Sequence, residues 1–88
     1  MEARALRQAK VEAERIAIAT AKALAADADL LERGEEERIE RALSALREST
    51  AGTNPSAIQN RIDELDHVTH EWAGRRMNRA VARAIEGK

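Results

Sequence analysis

The chain has 88 residues, of which 35% are charged, with a net charge of −1 and a pI near 6.1. That length allows one domain or a piece of one, and the charge balance gives no overall pull toward nucleic acid or a membrane. The absence of Cys excludes disulfides and thiolate metal sites, no apolar run approaches the roughly 18 residues of a membrane span, and the start lacks the apolar segment of a signal peptide, so a reducing, cytoplasmic setting is expected.

The first element is a helix over about 2–28. This stretch has no Gly, no Pro and no turn cluster, and Ala fills eleven of its positions. Such a helix spans roughly 40 Å at 1.5 Å per residue, whereas a compact chain of this size is only about 30 Å across. About half of it is therefore expected to protrude. Leu6, Ala9, Ala13, Ile16, Ala17, Thr20, Leu24 and Leu31 fall on one face. Val11, Ile18 and Ala25 form a second line, seven apart, about 120° away. Two readings follow: a helix buried on two sides, or a helix divided along its length. In the second, Ile16 to Leu31 belongs to a bundle, and the part through Arg15 serves another surface with Leu6, Ala9, Lys10, Ala13 and Glu14. Met1-Glu2 offers no N-cap, which reads as a helix cut in its middle. Asp27 and Asp29 oppose the helix dipole and favour a stop, with Leu30 and Leu31 folding under the bundle as a plug.

A second helix is expected over about 33–49. Glu35, Glu36 and Glu37 complement its dipole, and Ile39, Ala42, Leu43 and Leu46 form its apolar stripe. Asn54-Pro55 then reads as an N-cap followed by proline at the first helical position. The third helix covers about 55–86. Ile58, Ile62, Leu65, Thr69 and Trp72 share a face, and past Gly74 the apolar stripe rotates to Ala73, Met77, Ala80, Val81 and Ala84. The helix either breaks near Gly74 or changes packing partner along its length; a continuous or mildly bent helix is preferred. The expected fold is all-α: a long N-terminal helix packed antiparallel with two or three others. The expected core is Ile16, Leu24, Leu31, Ile39, Leu43, Leu46, Ile58, Ile62, Leu65 and Trp72.

Little here carries chemistry. His67 and His70 share a helix face at metal-binding spacing, but both lie off the core stripe. Exposed Asp63–His67 and Asp66–His70 pairs are the favoured account, and no metal is expected. Residues 75–88 hold Arg75, Arg76, Arg79, Arg83 and Lys88 against Glu86 alone, a net of +4, leaving −5 for residues 1–74. This basic tail reads either as an anion- or nucleic-acid-binding helix or as a solvated helix end favoured by the dipole. No aromatic interleaves with it, so nucleic acid is disfavoured. No Gly-rich phosphate loop, nucleophile arrangement or paired-carboxylate cleft is present, so no catalytic residue and no cofactor site is expected.

The run Val11-Glu12-Ala13-Glu14-Arg15, the sequence from Ala23 to Leu31 and then Glu37-Arg38-Ile39-Glu40 resemble the C-terminal helical lid of seventy-kilodalton heat-shock chaperones, and more narrowly the HscA-type branch. The stretch from Asn54 to Lys88 follows the same pattern. Its Ala73-Gly74-Arg75-Arg76-Met77 departs from the family's alanine at Gly74, consistent with a bend. The resemblance implies that this chain is the lid of a longer chaperone, non-enzymatic by itself, preceded by an ATPase domain and a peptide-binding β-sandwich. The first helix would lie over that sandwich and close on bound peptide. ATP would bind only the full-length protein. Its partners would be an IscU-type scaffold and an HscB-type J-domain co-chaperone, in iron–sulfur cluster assembly. By position the resemblance assigns Glu14 to a latch contact, and it places Ile18 where some relatives have a histidine. Two other classes stay open: a free-standing helical adaptor or nucleic-acid-binding bundle using the arginine-rich tail, and a self-associating module pairing through Leu6, Val11 and Ile16.

Overall fold

In a computed structural model, residues 2–87 are described, without the side chain of Glu2. Three helices, α1 (Glu2–Asp27), α2 (Glu35–Ser49) and α3 (Pro55–Glu86), are joined by a short 3-10 turn over Ala28–Leu30 and two tight loops. Together they form an all-α bundle, and no strand occurs among the described residues.

Local chemistry sets each boundary. Trp72 Nε1 donates to the Asp27 carbonyl at 3.1 Å and so satisfies an orphan acceptor where α1 ends. Gly34 adopts φ 84°, a left-handed conformation that turns the chain into α2, and a Cβ there would also crowd the Arg38 guanidinium at 3.2 Å. The C-terminal turn of α2 is closed by two hydroxyls, Ser49 Oγ to the Leu46 carbonyl at 2.6 Å and Thr50 Oγ1 to the Arg47 carbonyl at 2.7 Å. At the start of α3, Asn54 Oδ1 accepts from the N–H groups of Ser56 at 2.9 Å and Ala57 at 3.4 Å, with Pro55 at the first helical position. A cap of this kind contributes about 1 kcal/mol.

The core lies where the three helices meet. Ile39, Leu43 and Leu46 of α2 pack with Ile58, Ile62, Leu65 and Trp72 of α3, against Ala13, Ala17 and Ala23 of α1. The alanines let α1 approach its neighbours closely, so α1 supplies shape while the other two helices supply apolar volume. Ile16, Leu24 and Leu31 sit partly buried along the edge of this core, as do Leu6, Ala9 and Leu30.

One open choice is settled here and one sequence expectation changes. First, α3 runs without a break through Gly74, as one helix of 32 residues. Second, the helix dividing at Arg15 is corrected. Ala13 is only 1% exposed, inside the core of its own chain, and the stripe remains covered back to Ala9 and Leu6. The compact shape assumed for the chain is the source of the error. The molecule measures 50 × 29 × 17 Å with a radius of gyration of 14.9 Å, against about 12 Å for a compact chain of this length. An elongated bundle gives α1 a longer floor than a sphere would.

Candidate functional site

The functional candidates are a free face on α1 and the cluster at its C-terminal end. The free face is the second apolar line. Val11 is 62% exposed and Ile18 50% exposed, with the exposed Glu14 midway between them on the same side. Residues 11, 14 and 18 recur at helical spacing, so they form one continuous strip. Arg7 and Arg15, both exposed, flank it, and Arg15 Nη2 bonds Glu12 Oε1 and Oε2 at 2.6 Å. This strip, rather than Leu6, Ala9 and Ala13, is the exposed apolar side of α1. Of the residues expected at such a surface, Glu14 stands on the strip and Lys10 is half-buried at its edge beside Arg47 and Thr50.

The cluster sits at the turn between α1 and α2. Asp27 Oδ2 accepts from Arg76 Nε at 3.1 Å, and its Oδ1 accepts from Arg79 Nη1 at 3.1 Å. Arg79 also holds Asp29 with both terminal nitrogens, at 3.0 and 2.5 Å. Arg75 Nε donates to the Leu30 carbonyl at 2.8 Å, and its Nη2 donates to Glu35. Glu35 in turn accepts from the Glu32 N–H at 2.7 Å, tying the loop before α2 to the first residue of that helix. The Arg76 guanidinium lies over the Trp72 ring, 5.1 Å from its centroid, a cation–π contact. Three successive arginines of α3 thus clasp the turn that joins α1 to α2. Glu35 is the buried member of this clasp, and a planar guanidinium suits such a fork of acceptors better than an ammonium would.

The electrostatics follow the geometry. The Arg75 guanidinium holds the Glu35 carboxyl below its ordinary 4.5, helped by the Glu32 N–H and opposed by burial. Arg79 holds Asp29 below its ordinary 3.8. Both folded values are depressed, so the clasp contributes its stability in full above the ordinary carboxylate range. It loses that contribution as the pH falls below 4.5 and then below 3.8.

This cluster accounts for three cations of the basic tail. Arg75, Arg76 and Arg79 are partnered within the chain, so they do not form an open phosphate track. His67 and His70 are exposed, and no group of three or more metal ligands occurs among the described residues. The expected Asp63–His67 and Asp66–His70 ion pairs are absent from the described residues; Asp63 accepts from Gln59 Nε2 at 3.0 Å instead. No helix among the described residues is long and apolar enough to cross a membrane.

A long helix packed along the bundle, with its end clasped and one face left free, defines an all-α helical module. The sequence comparisons agree. Over 88 residues and its full length the chain is 50% identical to the chaperone protein HscA homologue of Herminiimonas arsenicoxydans. It is 47% identical over 99% of its length to the homologue from Azoarcus sp. strain BH72, and 44% identical over 99% to the chaperone protein HscA of Xenorhabdus nematophila. In each case it spans 14% of the relative's length, at the C-terminal end. The chain is a homologue of the C-terminal segment of HscA-type chaperones. No protein-family model matches it.

Proposed function

We propose that this chain is the lid of an ATP-dependent HscA-type chaperone, closing over peptide held in a β-sandwich that lies outside the chain. The observation that carries the proposal is the free Val11–Glu14–Ile18 strip on a helix whose base is clasped, in a chain matched end to end by HscA C-terminal segments. A lid must be stiff enough to transmit position and must release on each cycle. Unbroken α1 supplies stiffness. A strip of two aliphatic side chains and one carboxylate, rimmed by arginines, supplies a small, polar and therefore reversible contact. Glu14 sits where a cationic or hydrogen-bond donor group of the sandwich would latch the lid, and Val11 and Ile18 would exclude water on either side of that latch.

The segment carries no catalytic step in this reading. Nucleotide hydrolysis belongs to the rest of the chaperone, in a reducing, cytoplasmic setting, with an IscU-type scaffold as client and an HscB-type J-domain protein as co-chaperone in iron–sulfur cluster assembly. The test is the release of a fluorescent client peptide from an HscA-type chaperone ending in this segment. Removing residues 1–88 should speed release by about tenfold, the effect of losing roughly 1.4 kcal/mol of closure. Unchanged release would refute the lid reading.

A further inference from the structure

We propose that the outward face of α3 beyond Trp72 pairs, antiparallel, with the same face of a second copy of this chain. Past Trp72, α3 turns one side to the Asp27–Glu35 clasp and leaves the other uncovered among the described residues. Met77 is 68% exposed, Val81 53% and Ile85 68%, and Ala73, Gly74 and Ala84 lie exposed beside them. Three large apolar side chains on one face are more than the scattered single exposures of an ordinary surface.

An independent observation comes from Gly74. It sits mid-helix, where glycine weakens the helix relative to alanine, and a Cβ there would meet nothing within 4 Å. Nothing inside the chain requires it. It lies on the same face as Met77, Val81 and Ile85, where a missing side chain lets another helix approach.

The occupant follows from charge and shape. In a chain that is 35% charged, no position on this outward face of α3 between Ala73 and Ile85 carries a charge: Arg75, Arg76 and Arg79 are held in the clasp, and helical spacing puts Arg83 on their side of the helix. Such a face offers no ion pair by which to select a foreign partner, and no repulsion to oppose a copy of itself. The α1 strip differs, since Arg7, Glu14 and Arg15 surround it. Under a two-fold axis centred near Arg79, Ile85 of one copy meets Ala73 of the other, Ala84 meets Gly74, and Val81 meets Met77. Large side chains then face small ones at both ends, with a Met–Val contact in the middle, and each contact occurs twice, as an isologous interface requires. The contact runs about 18 Å along the helix, so its area falls at the low end of specific interfaces and the association is weak.

Sedimentation equilibrium of the 88-residue chain over a concentration series tests this. The apparent mass should climb from 9.7 kDa toward twice that value. Val81→Glu should stay monomeric, and Val11→Glu should associate like the parent. Gly74→Gln separates packing from folding: it should raise the melting temperature through helix propensity while weakening association about tenfold. Three results would each overturn the proposal: a mass fixed at 9.7 kDa to millimolar concentration, loss of association in Val11→Glu but not Val81→Glu, or unchanged association in Gly74→Gln.

Discussion

Trp72→Ala should remove most of the chain's stability. Trp72 is the largest fully buried side chain and the only aromatic, so its removal deletes the biggest single block of the core. Truncating a buried aromatic to alanine costs about 3–5 kcal/mol. It also removes the indole N–H that satisfies the Asp27 carbonyl, and the ring on which Arg76 rests. A bundle this small has little reserve, because chains of this length bury a low fraction of their surface and stability begins near 5 kcal/mol. Trp72→Phe separates volume from hydrogen bonding, keeping most of the packing and losing the indole donor, for about 1–2 kcal/mol. Thermal melts followed by far-ultraviolet circular dichroism should rank parent, Trp72→Phe and Trp72→Ala in that order. A Trp72→Ala chain as stable as the parent would contradict the placement of this residue.

Arg75→Met should destabilise the chain by more than loss of any exposed ion pair. Methionine keeps the apolar stem of the arginine but ends near its Nε, so the bond to the Leu30 carbonyl is lost and the buried Glu35 is left without its cation. The exposed pairs Arg15–Glu12 and Arg61–Glu64 set the contrast, since breaking either should leave the urea midpoint nearly unchanged. The pH dependence has a definite sign. In the parent, Glu35 is held below 4.5 by Arg75, so stability falls as acid protonates it. In Arg75→Met a protonated Glu35 is the better-tolerated form, because burial without a cation favours the neutral acid. The difference between parent and variant should therefore narrow as the pH drops below 4.5. Urea titrations at neutral pH and at acid pH measure both quantities, and a difference that widened in acid would contradict the clasp.

The apolar periodicity made the helices legible because each one repeats its large residues at helical spacing. Ile39, Leu43 and Leu46 on α2, and Ile58, Ile62, Leu65 and Trp72 on α3, are buried for the reason their spacing gives. The clasp was not legible. Its partners lie 40 to 52 residues apart, and local pattern carries no information about such pairs. Glu35 looked like one of three glutamates complementing a dipole, and only the packed structure distinguishes it from the exposed Glu36 and Glu37. A weak signal did exist: acids at Asp27 and Asp29 end one helix, and a run of arginines follows the core tryptophan of another. The face of α1 was misassigned for a different reason. Two apolar lines were visible, but the larger and more regular one, through Leu6, Ala9 and Ala13, faces the chain's own core. The thinner line of Val11 and Ile18 is the free one, because it carries too little apolar surface to hold a bundle together.

The most direct measurement is peptide release from a whole HscA-type chaperone carrying this segment with the α1 strip altered. Val11→Asp with Ile18→Asp changes two exposed positions and leaves the core untouched, so the fold should persist by circular dichroism. Placing two carboxylates on the closing face should speed release of a bound client peptide by about tenfold or more, approaching the rate of a chaperone lacking the segment. Release unchanged from the parent, in a variant that remains folded, would contradict a lid that closes through this strip.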